Sequence, residues 1–131
     1  MPSIFSKIAK GEIPCYKIAE DENHLAFLDV FPLKRGHTLV IPKLETDYLF
    51  DLNSEEYLNL MAFTQRVALA VKAAIPCKRL SMQVIGLEVP HAHVHLIPIT
   101  TMGDCDFKNE KLKFNKEEFE LTAKSIASLF R

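Results

Sequence analysis

Imidazole and apolar side chains alternate along residues 91–96, which read His-Ala-His-Val-His-Leu. Because successive side chains of a β-strand point to opposite faces, this alternation predicts a strand over residues 91–99. Such a strand places His91, His93 and His95 on one face and the apolar residues between them against the core. A half-buried strand needs neighbours to pair with, so the feature restricts the fold to one built around a sheet.

Four further short apolar stretches predict strands; they cover residues 15–20, 24–31, 37–42 and 80–86. The helical spacing of apolar residues predicts helices; they cover residues 4–10, 54–74 and 116–130. Short turns between most strands favour antiparallel pairing. We therefore predict an α+β fold, in which a five-stranded antiparallel sheet is joined by the two longer helices.

Polar residues interrupt the apolar faces of two predicted strands. Period-two geometry puts Asp29 on one face with Phe27, and His37 on one face with Leu39. Pro32 and Gly36 mark the turn that separates these two strands.

The helix over residues 54–74, for which Ser54 is the expected N-cap, is apolar around most of its circumference. One side can cover the sheet, and the other side suggests a second subunit. The alternative is that a loop of the same chain covers it. The closing helix is expected to bury one narrower face, formed by Phe119, Thr122, Ile126 and Leu129.

Composition excludes several classes of protein. A length of 131 residues suits a single domain over residues 1–131. A net charge of −1 argues against duplex nucleic acid or an anionic membrane as the main partner. No apolar run approaches the ~20 residues of a membrane helix, and the N-terminus lacks the order of a signal peptide. We therefore expect a cytoplasmic protein, whose three scattered cysteines are free thiols.

A row of imidazoles on an apolar strand costs stability if the rings stay unpaired, so it calls for a functional explanation. One explanation is a metal site, since histidines on one face of a strand can ligate zinc. The other is covalent catalysis on phosphorus, because neutral imidazole is a good nucleophile near pH 7.

The pattern His-φ-His-φ-His-φ-φ over residues 91–97, where φ is apolar, resembles the signature of the histidine-triad (HIT) superfamily of nucleotide hydrolases and transferases. Further blocks resemble the N-terminal half of that family, in the family's order; they cover residues 4–8, 11–14, 20–21, 26–29 and 36–43. The resemblance spans a HIT-like core over residues 3–99 and leaves a C-terminal segment over 100–131. It implies a HIT-like fold and a homodimer, in which two protomers pair into one continuous sheet.

The resemblance also implies catalytic roles for four histidines. His93 matches the residue that attacks the α-phosphorus of a nucleotide derivative and forms a covalent nucleotidyl-histidine. His95 matches the residue that contacts the phosphate or leaving group, and His91 matches the one that orients the nucleophile. His37 matches a fourth histidine behind the triad.

Nucleotide-binding residues follow from the same resemblance. Asp29 matches the acid that holds the ribose hydroxyls, and Gln83 matches a glutamine that reaches the phosphates. The cleft for the base, a purine by family habit, is matched by Phe5, Ile8, Ile13, Phe27 and Val30. The implied substrate is a phosphoramidate or a dinucleoside polyphosphate, and no cofactor is expected.

The chain departs from the family pattern in the loop before the triad. Leu87 and Glu88 stand where the family usually has Gln and Ser or Thr, and the loop is short. A carboxylate there would repel a phosphate unless it is protonated or turned away. A nucleotide-binding sensor or interaction protein with little turnover therefore stays open as an alternative.

A second departure concerns metal. Many bacterial relatives bind a structural zinc through a Cys-x-x-Cys pair and a later histidine, whereas this chain has Ser3, Ser6 and Glu45 at those positions. We therefore predict no metal site. A metal enzyme that uses the triad histidines with His37 remains a third, less favoured interpretation.

Overall fold

The computed structural model describes residues 2–131. An antiparallel sheet, whose strands do not follow the chain order throughout, forms the centre of the molecule. Its five strands are β1 Lys17–Glu20, β2 His24–Leu28, β3 Thr38–Pro42, β4 Arg79–Gln83 and β5 Val94–Ile99. They lie in the order β1-β2-β3-β5-β4, and every pairing is antiparallel. The predicted five-stranded antiparallel sheet is therefore confirmed.

Helices cover the two faces of the sheet unequally. They are α1 Ile4–Ala9, α2 Ser54–Ala74 and α3 Lys116–Leu129, with 3-10 turns at Leu49–Asp51 and Met102–Cys105.

Across residues 2–131, no helix combines the length and the apolar character needed to cross a membrane.

The larger apolar cluster lies between the sheet and the two long helices. Val40, Val94 and Leu96 of the sheet pack there with Val67 of α2 and Ile126 of α3. The smaller cluster lies on the opposite face of the sheet, where Phe5 of α1 joins side chains of the central strands, which are Leu25, Phe27, Leu39 and Ile41. Of the three helices, only the short α1 therefore packs on the opposite face.

The start of β5 corrects the sequence prediction. We predicted a strand from residue 91, but β5 begins at Val94. The amide of His91 donates to the carbonyl of Val89 at 2.8 Å, and that of Ala92 donates to the carbonyl of Thr46 at 2.7 Å, so these residues form a loop rather than a ladder. Ala92 still packs in the larger cluster, which keeps the histidines on the opposite face.

Other predicted limits shift by a few residues. Asn53, not Ser54, caps α2, because its side chain accepts the amide of Glu56 at 2.8 Å and the Glu56 carboxylate accepts the amide of Asn53.

Leu129 was wrongly expected to be buried and is 40% exposed. Phe130, directly after α3, packs instead against Phe63 of the core, with ring centroids 5.8 Å apart.

Gly36 shapes the turn that delivers His37 to the start of β3. Its φ angle is +88°, a region that side-chain-bearing residues rarely adopt. A Cβ atom at this position would lie 2.7 Å from Cγ1 of Ile75, which is closer than van der Waals contact permits. Glycine is therefore required here for both conformation and space.

Replacing Gly36 by alanine should destabilise the protein more than replacing Gly11. Gly11 also has a positive φ, +79°, but a Cβ there meets nothing within 4 Å. Gly11→Ala should therefore show only the conformational cost of about 1–2 kcal/mol. Gly36→Ala should add about 1–3 kcal/mol from the overlap with Ile75. Urea unfolding of both variants measures the difference, and equal losses would contradict the steric role of Ile75.

Candidate active site

Four buried histidines lie together on the sheet face that α1 covers. His95 stands in β5 opposite Leu39 of β3, and His37 directly precedes β3. His91 and His93 come from the loop that leads into β5. The ring centroid of His95 is 5.0 Å from that of His93 and 5.2 Å from that of His37. The structure thus brings together all four predicted histidines.

The tautomers of His91 and His93 follow from their carbonyl partners. Nε2 of His91 lies 2.7 Å from the carbonyl oxygen of Pro42, which can only accept, so Nε2 carries the proton. Nδ1 of His93 lies 2.7 Å from the carbonyl oxygen of His91 and donates to it in the same way. A neutral His93 therefore has a free lone pair on Nε2, which makes no hydrogen bond within residues 2–131.

The opposite tautomer follows for His95. The amide of Leu33 donates to Nδ1 of His37 at 3.0 Å, so the proton of a neutral His37 is on Nε2. That Nε2 lies 3.0 Å from Nδ1 of His95 and donates to it. His95 then carries its own proton on Nε2. One ring of the row presents a lone pair and its neighbour presents an N–H donor, an arrangement that can attack an electrophile and stabilise an anion beside it.

Burial keeps the imidazoles of His37, His93 and His95 uncharged. It lowers the pKa of His37 to about 3 and that of His95 to about 4. It also lowers the pKa of His93, against the opposing influence of the His91 carbonyl and the Asp29 charge. The neutral forms required by the hydrogen bonds are therefore the forms present at pH 7.

Asp29 lies just beyond β2, at the end of the histidine row. One carboxylate oxygen accepts the amide of Phe31 at 2.8 Å, and the other lies 3.5 Å from Nε2 of His37. Burial raises the pKa of this carboxyl group, while the Phe31 amide acts in the opposite direction. Asp29 therefore presents a partly buried acceptor beside the imidazoles, on the face predicted for it.

The metal interpretation named the three triad histidines with His37, but the group whose possible ligand atoms converge is Asp29, His37 and His95. Among residues 2–131, ligand atoms of Asp29, His37 and His95 lie within 4.8 Å of one another, whereas His91 and His93 do not join them. Nε2 of His37 and Nδ1 of His95 are already bonded to each other. An ion could bind both nitrogens only if that hydrogen bond were broken, so the donor set fits a metal poorly.

Apolar side chains line the site next to His93. The ring of Phe5 lies edge-on to His93 at 4.9 Å and to Phe27 at 5.8 Å. Ile8 packs against the same cluster. Val30, 50% exposed, and Ile13, partly exposed, lie outside it. Of the predicted base cleft, the structure therefore packs three residues together.

Gln83 stands directly opposite His95 in the pairing of β4 and β5, so both side chains lie on the same sheet face. Its side-chain amide donates to Oγ of Ser81 at 3.1 Å and to the carbonyl of Cys105 at 3.3 Å. Gln83 thus lies beside the predicted site and contacts the segment that follows β5.

That following segment supplies two residues that sequence reasoning missed. The ring of Phe107 lies edge-on to His95 at 4.9 Å and to His37 at 6.1 Å. Nζ of Lys111 donates to the carbonyl of Phe107, and its charge acts to lower the pKa of both Asp29 and His37. The one available signal was an aromatic residue within an otherwise polar stretch.

Comparison with known proteins shows which family the chain resembles. A family model described as "HIT domain" matches residues 10–102. The chain is 36% identical over 99 residues to the adenosine 5'-monophosphoramidase hnt1 of Schizosaccharomyces pombe, covering 75% of this chain and 74% of that one.

Solved structures of similar proteins have the same fold. A HIT-like protein from Bartonella henselae superposes with a TM-score of 0.83 and 31% identity, covering 97% of this chain and 95% of that one. A zinc-bound histidine triad family protein from Mycobacterium smegmatis gives a TM-score of 0.79 and 31% identity, covering 96% of this chain and 94% of that one.

Neutral burial of His37 predicts a pH-dependent stability. The pKa is about 3 in the folded protein and about 6.5 in an unfolded chain, so the unfolded state takes up the proton first as the pH falls. The free energy of unfolding should therefore decrease below about pH 6.5, and His37 alone should account for about 2 kcal/mol between pH 7 and pH 5. Urea unfolding at both pH values measures this decrease. The decrease in the free energy of unfolding should be about 2 kcal/mol smaller in His37→Gln than in the wild type. An equal drop in both proteins would contradict the neutral burial of this ring.

Proposed function

The chain belongs to the histidine-triad (HIT) family, and on that premise we propose that it cleaves purine nucleotide derivatives at the α-phosphate, as a nucleotide hydrolase or nucleotidyl transferase. The observation that carries the proposal is the hydrogen bond from Nδ1 of His93 to the carbonyl of His91, which leaves the Nε2 lone pair free. A neutral imidazole with that lone pair is a competent nucleophile at pH 7.

The reaction has two displacements at phosphorus. Nε2 of His93 attacks the α-phosphorus, and the bond to the leaving group breaks with its electron pair on the departing atom. The new imidazolium continues to donate its Nδ1–H to the carbonyl of His91. The Nε2–H of His95 stabilises the charge on the phosphoryl oxygens. Water then attacks the phosphorus, and the bond from phosphorus to Nε2 breaks with its electron pair on the nitrogen. The proton of the attacking water goes to solvent, a nucleoside monophosphate leaves and His93 is neutral again. A departing amine takes its proton from solvent.

Nucleotide binding uses the groups around the histidines. The Asp29 carboxylate accepts hydrogen bonds from the two ribose hydroxyls, and the side chains of Phe5, Ile8 and Phe27, with Ile13 and Val30 at the margin, contact the base. Gln83 reaches the phosphates by exchanging its bond to the Cys105 carbonyl for one to the substrate. No cofactor is required by this scheme.

One observation favours the alternative of a nucleotide-binding protein with little turnover. Leu87 and Glu88 replace the usual polar residues of the loop before the triad, and both are exposed. Initial rates on an adenosine phosphoramidate and a diadenosine polyphosphate, under identical conditions, separate the two functions. Binding of both compounds with no turnover of either would favour the alternative.

Replacing His93 by alanine should abolish turnover, because a lost covalent nucleophile costs several orders of magnitude in rate. Nucleotide binding should survive, since Asp29 and the apolar cleft remain. Replacing His95 should cost less, about 10²- to 10⁴-fold, and replacing His37 least. Rapid quenching of a single turnover should trap an acid-labile, base-stable adduct on His93. Normal turnover by His93→Ala, or an adduct on another residue, would refute the mechanism.

A homodimer is the second part of the proposal. β4 is an edge strand, and Met82 on its helix-facing side is 57% exposed. Leu58 and Leu69 of α2 share one face of that helix and are also exposed. A two-fold axis beside β4 would pair the two edge strands and bury this apolar surface twice.

Light scattering at micromolar concentration should therefore give twice the mass of one chain. Leu69→Glu should shift the protein toward monomers, because a carboxylate would be buried in the interface. Leu121→Glu is the matched control, since Leu121 is equally exposed but lies on α3. A monomeric wild-type protein, or equal effects of both substitutions, would rule out this interface.

A further inference from the structure

Ser3, Ser6 and Glu45 form a hydrogen-bonded cluster around the ring of His91. Oγ of Ser3 lies 2.8 Å from Nδ1 of His91, and Oγ of Ser6 lies 3.4 Å from the same atom. Oε1 of Glu45 accepts from the Ser3 amide at 2.6 Å and from the Ser6 hydroxyl at 2.7 Å. The cluster joins the start of α1 and the loop after β3 to the first histidine of the triad.

The donor and the acceptor of each hydrogen bond in this cluster follow from the neighbouring groups. Because Nε2 of His91 donates to the carbonyl of Pro42, Nδ1 must accept, and the Ser3 hydroxyl donates to it. The Ser3 oxygen in turn accepts the amide of Ser6 at 2.9 Å. The Ser6 hydroxyl donates to Glu45, which is acceptor-only as a carboxylate. The amide of Ser3 lowers the pKa of Glu45 to about 2 and so keeps it charged.

We infer that Ser3 and Glu45 are positioning residues for the reaction, which act through His91 on His93. The ring of His91 is fully buried, and its two nitrogens are held by Ser3 on one side and Pro42 on the other. The same residue supplies the carbonyl that accepts the Nδ1 proton of His93. Fixing the ring of His91 therefore fixes the carbonyl that sets the tautomer and direction of the nucleophile. This inference rests on the proposed function.

The cluster occupies the positions at which the resemblance places zinc ligands in many bacterial relatives. The residues here do not fit zinc, because neutral serine hydroxyls are poor ligands compared with thiolate and imidazole. The lone pair of His91 Nδ1, which a metal would need, accepts the Ser3 hydroxyl instead. A network of hydrogen bonds thus links α1 to the triad in this chain without a metal.

A purely structural role for the cluster makes different predictions. Ser3 is also the N-cap of α1, so removing its hydroxyl would lower stability in either case. A purely structural loss at Ser3 would disturb α1, which carries Phe5 and Ile8 of the cleft, and would therefore raise KM. A positioning role instead lowers kcat with little change in KM, and only that role alters the tautomer of His93.

The test compares Ser3→Ala, Ser3→Thr, Glu45→Ala and Glu45→Gln with two controls on α3, Ser128→Ala and Glu120→Gln, all without a histidine tag. With an adenosine phosphoramidate, Ser3→Ala and Glu45→Ala should lose roughly ten- to a hundredfold in kcat with KM within about twofold. Ser3→Thr keeps the hydroxyl and Glu45→Gln keeps an acceptor oxygen, so both should retain most of the rate. The controls should match the wild type.

Two further measurements do not depend on turnover. Imidazole ¹⁵N spectra should show the His93 proton on Nδ1 in the wild type and a mixture of His93 tautomers in Ser3→Ala. Elemental analysis should find no stoichiometric zinc. A wild-type kcat and an unchanged His93 tautomer in Ser3→Ala, or one tightly held zinc per chain, would overturn the inference. A wild type that turns over no nucleotide but shows the expected spectra would refute the proposed function alone.

Discussion

The hydrogen bond from Nδ1 of His93 to the carbonyl of His91 is the interaction on which the proposed chemistry of this site depends. At 2.7 Å it places the only proton of a neutral imidazole on the side away from the open site. The carbonyl can hold that position because the ring of His91 is itself tied between Ser3 and Pro42. Backbone groups, which do not titrate, thus determine which nitrogen of His93 carries a free lone pair.

β3 and the turn before it position His37, which determines the tautomer of His95. Gly36 allows the chain to turn tightly against Ile75, and the amide of Leu33 then meets Nδ1 of His37. The Nε2–H of His37 donates a hydrogen bond to Nδ1 of His95. Two chains of hydrogen bonds, each anchored in the backbone, therefore give neighbouring rings opposite tautomers. Burial keeps the rings neutral, so the pattern persists at pH 7.

The sequence predicted the sheet, its strands and the face of each histidine, because period-two alternation is a local property that the fold preserves. It misplaced the start of β5, because the amide of Ala92 bonds to Thr46, a partner distant in sequence. The contact of Phe107 with His95 was also missed, since tertiary packing decides where a polar loop settles. Glu45 was recognised as a departure from the family, but its bonds to Ser3 and Ser6 required coordinates. The roles of the site residues and the division between residues 3–99 and 100–131 stay predictions.

The tautomers of the four site histidines test the account most directly. Long-range ¹H–¹⁵N correlation spectra of the unmodified protein at pH 7 distinguish a proton on Nδ1 from one on Nε2 in each ring. We predict that His93 alone carries its proton on Nδ1, while His91, His95 and His37 carry theirs on Nε2. A proton on Nε2 of His93, or on both of its nitrogens, would contradict the claim that this ring presents a free lone pair to phosphorus.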